Sequence, residues 1–94
     1  MNEQRPTLVQ RQDALVAKLQ PIHAKYIALG NGGGGAYAGE RAKAKRGHIE
    51  EMVAAGYTKR EAAESAQQCD DVAYRNADYE ALEAQLSGSK AGAA

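Results

Sequence analysis

The segment GNGGGGAYAGERAKAKRGH, residues 30–48, gathers seven glycines, four cations, one tyrosine and one histidine into nineteen residues. Glycines followed by cations are the raw material of a phosphate cradle, because bare backbone N–H groups and a following helix N-terminus both favour an anion. Gly30-x-Gly32-x-x-Gly35 satisfies the dinucleotide-binding spacing. That geometry also needs a strand delivering the turn, whereas His23 to Leu29 continues a helical pattern. A P-loop requires Lys and then Ser or Thr after its last glycine, and Gly34-x4-Gly39 is followed by Glu40-Arg41. No nucleotide cofactor is expected.

The cations are the stronger candidates. Arg41, Lys43, Lys45 and Arg46 follow the glycines, with Tyr37 among them. A tyrosine combines large contact area with a polar tip, which suits an interface. These five residues are the expected partner-binding set, with a protein as the partner. The alternative is nucleic acid, where Tyr37 stacks on a base and the four cations meet phosphates. A plainly solvated helix face is a third reading.

No catalytic constellation accompanies them. His23 and His48 share no i, i+4 face and Cys69 stands alone, so no zinc set follows from spacing. Cys69 falls on an apolar stripe and has no sequence-adjacent base to activate it. Asp70, Asp71, Asp78, Glu80 and Glu83 spread over helix faces. The chain is expected to be non-enzymatic, with neither metal nor cofactor.

The elements that must position these residues read as helices. Thr7 and Gln10 have the spacing of a capping box, and Leu8, Leu15, Leu19, Ile22, Tyr26 and Leu29 follow as an a/d-like seam over 7–29. That seam is either an internal core stripe or a contact between copies. Pro21 lies inside it and is expected to kink the helix without ending it. Residues 30–39 then read as a flexible connector, with 40–55 a short helix carrying Ile49, Met52 and Val53 on one side. Thr58 and Glu61 form a second capping box opening a helix over 58–86. Ala62, Ala66, Cys69, Val72, Tyr79, Leu82 and Leu86 are its expected apolar face, and 87–94 a disordered tail. No window alternates like a strand.

Composition sets the scale. Ninety-four residues allow one small domain, and a 44 % hydrophobic fraction rich in alanine, without Phe or Trp, buries little area. A thin core of this kind favours pairing with a partner or a second copy. Net charge is zero, yet residues 1–48 hold eight Lys and Arg against three acids while residues 49–94 hold four against nine. Opposed halves suit antiparallel packing of the first helix on the third, or head-to-tail association. A single cysteine and the lack of a membrane-length apolar run lead to the expectation of a soluble cytoplasmic protein.

Two likenesses remain. Ala55-Gly56-Tyr57-Thr58-Lys59-Arg60-Glu61-Ala62-Ala63-Glu64 resembles the opening of a helix-turn-helix, but Gln67-Gln68-Cys69-Asp70-Asp71 lacks the turn glycine and brings acids where phosphate would lie. In size and composition the chain is similar to accessory proteins of phages and mobile elements, including inhibitors of host defence complexes. The expected fold is all-α, a helical hairpin or small three-helix bundle. The expected function is a protein-binding module acting on a larger assembly.

Overall fold

Thr7 opens the first helix as its spacing to Gln10 requires. Its hydroxyl accepts the Gln10 N–H at 3.1 Å, and the Gln10 side chain accepts the Thr7 N–H at 2.9 Å. The computed structural model describes residues 6–30 and 34–93, with side chains through residue 87. Three helices result: α1 (Leu8–Ala28), α2 (Gly34–Ala54) and α3 (Lys59–Ala93). Among the described residues there is no strand. The chain is an all-α three-helix bundle.

Each end has a local cause. Gly30 adopts φ +75° after α1, where an L side chain would be strained, and its N–H reaches the Ile27 carbonyl at 2.9 Å. α2 ends in a complete Schellman arrangement: Gly56 at φ +110° donates to Val53, and Tyr57 donates to Met52. Thr58 and Glu61 then close the second capping box at 2.9 and 3.0 Å. Pro21 does not divide α1, which is helical from Leu8 through Ala28.

Three expectations need correction. First, α2 begins at Gly34, so residues 34–39 are helix and not connector; positions 31–33 lie outside the described residues. A glycine costs about 1 kcal/mol against alanine inside a helix. Tertiary contacts on Tyr37 and Glu40 offset this, as described below. Second, α3 continues past Leu86 to Ala93, through most of the expected tail. Third, α1 and α3 run parallel. Gln12 meets Ser65 while Gln20 meets Asn76 and Glu80, so partner numbers rise together. α2 is antiparallel to both, with Lys25 on Glu40 and Arg11 toward Glu51. Three consecutive helices with short links must alternate in direction, which overrides the simple charge argument.

The core is as thin as composition implies. Leu15, Leu19, Ala66, Cys69 and Ala73 form its centre, with Val16, Ile22, Ala44 and Ile49 beside them. The seam expected in α1 is internal, since Leu15, Leu19 and Tyr26 are buried, whereas Leu29 is 63 % exposed. α3 presents Ala62, Ala66, Cys69, Ala73 and Ala77, and these small residues let α1 approach closely. The stripe expected on α3 holds for Ala62, Ala66 and Cys69 only. Val72, Tyr79, Leu82 and Leu86 face solvent, because alanines rather than the larger residues occupy the inward positions. Tyr79, expected in the core, is 64 % exposed. At 1.5 Å per residue the 35 residues of α3 span about 52 Å, which sets the 56 Å long axis.

A polar station fixes the register of this parallel pair. The Gln12 amide donates to Ser65 Oγ at 3.1 Å, and His48 Nε2 lies 3.0 Å from the same oxygen. His48 is buried, and burial pushes its pKa below the ordinary 6.5. The folded chain therefore binds that proton less readily than the unfolded chain. Stability contributed by His48 is present above 6.5 and declines as pH falls through and below that value.

Two expected outcomes follow. Leu19→Ala should cost about 2–5 kcal/mol in urea unfolding, and Leu82→Ala less than about 0.5 kcal/mol. The urea midpoint should fall between neutral pH and about pH 5, and His48→Gln should flatten that decline. An unchanged slope in the variant would place the pH dependence elsewhere.

Candidate functional site

Where the three helices meet, the apolar core gives way to charge. Asp70 of α3 is only 4 % exposed. Its Oδ1 lies 2.7 Å from His23 Nε2 of α1, and its Oδ2 accepts from Lys45 Nζ at 3.2 Å and Arg41 Nη2 at 3.4 Å, both of α2. Burial by itself would push the Asp70 carboxyl up. The His23 bond and the Lys45 and Arg41 charges prevail and hold it below the ordinary carboxylate range.

His23 is 2 % exposed, and its second nitrogen is also taken. Nδ1 lies 2.7 Å from the Tyr37 hydroxyl. Tyr37 in turn stacks on Tyr26, with centroids 4.5 Å apart and planes 15° from parallel, and the Arg41 guanidinium sits 5.0 Å over its ring. Tyr26 donates to Glu40 at 2.5 Å, and Lys25 Nζ meets the same carboxylate at 2.9 Å. These contacts draw residues 34–40 into the helix despite their glycines. Burial first, and the nearby Tyr74 and Asp70 after it, push the Tyr37 phenol up, against the opposing pull of Arg41.

An open cleft of about 580 Å³ lies over this cluster, with His23, Tyr37, Arg41, Asp70, Tyr74 and Arg75 among its lining. Tyr74 packs edge-on against His23 at 5.4 Å and is 40 % exposed. Arg41 Nε is buried without a hydrogen-bond partner among the described residues. An orphaned buried donor costs about 1–3 kcal/mol.

The expected partner-binding residues are thus divided. Tyr37, Arg41 and Lys45 converge on Asp70, while Lys43 and Arg46 are exposed. Lys45 is therefore no exposed helix cation: it is held by Asp70 and by Gln67 at 3.1 Å. His23, Asp70 and Tyr74 were not expected in a site. One signal was present for His23, which shares the phase of Leu15, Leu19 and Tyr26 and so puts a titratable ring into an apolar seam. α3 is unbroken through Gln67–Asp71, so no helix-turn-helix forms. Among the described residues no three His, Cys, Asp or Glu side chains converge on a metal-sized site, and no helix is long and apolar enough to cross a membrane.

A buried charge cluster is a poor source of stability, since desolvation offsets most of the Coulomb gain. Asp70→Ala, which strands the buried His23 ring, should cost about 3–5 kcal/mol, a large share of what a small domain has. The double change His23→Leu with Asp70→Leu removes the pair together, leaving Lys45 and Arg41 free to reach water. Its urea midpoint should return to the wild-type value or exceed it. A double variant as unstable as Asp70→Ala would show the cluster to be structural.

No protein-family model, curated protein or solved structure matches the chain.

Proposed function

We propose that the chain is a non-enzymatic binding module that docks on another protein through the mouth of the cleft between α2 and α3. The observation that carries this reading is the buried Asp70 cluster. A chain with so thin a core places an aspartate, a histidine, two cations and a phenol at its centre, at a cost in stability. What the cluster gains is placement. Tyr37 and Arg41 are held between packed neighbours at the edge of the opening, with Tyr74 and Arg75 across from them. Tyrosine and arginine held rigid before contact are the residue types that dominate binding energy, because little freedom is lost on docking.

A positioning role for His23 is supported over an acid–base one. Both of its nitrogens are occupied, and the group it touches on the cleft side is a phenol whose pKa is raised, away from ionisation near neutrality. The exposed Lys43 and Arg46 on α2 would steer an acidic partner toward the opening. A reducing, cytoplasmic setting agrees with the single buried thiol of Cys69. Small size and binding without chemistry also fit an accessory or inhibitor protein of a phage or mobile element, one that works by covering a partner's surface. The nucleic-acid alternative loses support, since two of its four cations are engaged by Asp70.

Affinity capture from native lysate with quantitative mass spectrometry tests the reading. A protein retained by the wild type should be lost at least about tenfold with Tyr74→Ala, a change of about 1.4 kcal/mol or more, and lost equally with His23→Leu/Asp70→Leu although that variant stays folded. Retention unchanged by both would sink the cleft as the binding face. Labelled oligonucleotides should not shift at physiological salt. A complex whose log–log salt slope reaches about 3–4, the value for four phosphate contacts, would overturn the protein reading in favour of nucleic acid.

A further inference from the structure

α3 carries an apolar stripe that no other part of the bundle covers. Tyr79, Leu82 and Leu86 are 64, 49 and 63 % exposed, and Val72 continues the line one heptad earlier at 37 %. Spacings of seven, three and four put these four side chains on one helix face. Acids border it: Asp78 lies four residues before Leu82, and Glu83 four after Tyr79, both exposed. Arg75 is the cation beside it.

The stripe invites pairing, and charge decides with what. Two α3 helices laid together would bring Asp78 and Glu83 of one copy against the same acids of the other, in either direction, and like charges at such spacing repel. The other two helices offer the complement. A second groove, of about 490 Å³ and lined more by carbon than by polar atoms, runs between α1 and α2 past Lys18, Ile22, Lys43, Ala44 and Gly47. Glu40 also lines it but is engaged by Lys25 and Tyr26. Lys18 and Lys43 pair with no acid among the described residues, and both are exposed. Gly47 has open space where a side chain would project, so an incoming residue can approach the helix backbone there.

We propose that a second copy of this chain is the occupant: the Tyr79/Leu82/Leu86 stripe of one molecule docks in the α1–α2 groove of another, with Asp78 and Glu83 meeting Lys18 and Lys43. Lys43 aside, the contact uses surfaces apart from the cleft, and it does not depend on the cleft's role. It replaces the α1 seam as the route to self-association, because that seam is consumed inside the bundle. Opposed charge in the two halves of the sequence acts between molecules here, with zero net charge removing any overall repulsion.

Sedimentation equilibrium of the full chain over micromolar to sub-millimolar concentration tests this. The wild type should exceed the monomer mass, and association should weaken with salt. Lys18→Glu/Lys43→Glu and Asp78→Lys/Glu83→Lys should each associate at least about tenfold more weakly. An equimolar mixture of the two should recover the wild-type mass, because each reversed surface again finds its complement. Gly47→Gln, which fills the groove from an open position, should raise the melting temperature of the helix yet give a monomer. A wild type that stays monomeric throughout overturns the proposal. So does self-association retained by Lys18→Glu/Lys43→Glu or by Gly47→Gln, either of which would assign the stripe to another surface.

Discussion

Asp70 lies where the three helices meet, and the other two helices supply every partner of its carboxylate. His23 of α1 takes one oxygen, and Arg41 and Lys45 of α2 share the other. Because a carboxylate at 4 % exposure has almost no water to fall back on, the helices must sit where they satisfy it. Short links set the directions of the helices; the helical state of the glycine-rich residues 34–39 and the cleft with its fixed Tyr37 and Arg41 accompany the meeting of that requirement. The cluster is thus a specifying device. It selects one arrangement among several that an alanine-lined core would accept with little preference.

The alanines explain why such a device is needed. Ala62, Ala66, Ala73 and Ala77 of α3 are at most 1 % exposed, yet each buries little area and has no shape with which to define register. Leu15, Leu19, Tyr26 and Met52 supply the larger buried side chains. Polar stations at Gln12–Ser65–His48 and at Gln20–Asn76–Glu80 provide the missing register between the helices. Inward positions given to alanine also leave the larger residues of α3 outside. Close packing within the bundle and apolar residues on its surface are consequences of the same choice.

Charge is organised in two places. At short range Asp70 gathers its counter-ions inside the bundle, where low water content makes each bond count. Elsewhere Lys18 and Lys43 line the groove between α1 and α2, while Asp78 and Glu83 are exposed on α3. Neutral overall composition conceals both arrangements.

Three helices were legible in the chain, along with both ends of α1, the end of α2 and the start of α3. Thr7 with Gln10, Thr58 with Glu61, and the left-handed Gly30 and Gly56 act within one turn, so their chemistry is complete locally. The sequence by itself also determined the all-α class, and the inward face of α1 through Leu15, Leu19 and Tyr26. The helical state of residues 34–39 could not be read from the chain, because the energy that offsets their glycines comes from Tyr26 and His23 on another helix. The inward face of α3 was hidden for a related reason: the larger residues draw a plausible stripe, and the true one is made of alanines whose burial depends on how near α1 can come. Tyr37, Arg41 and Lys45 were legible as candidates by type, but Lys43 and Arg46 could not be separated from them by spacing. That separation required Asp70, which lies 25 to 29 residues away from Lys45 and Arg41 along the chain and beside both in the fold.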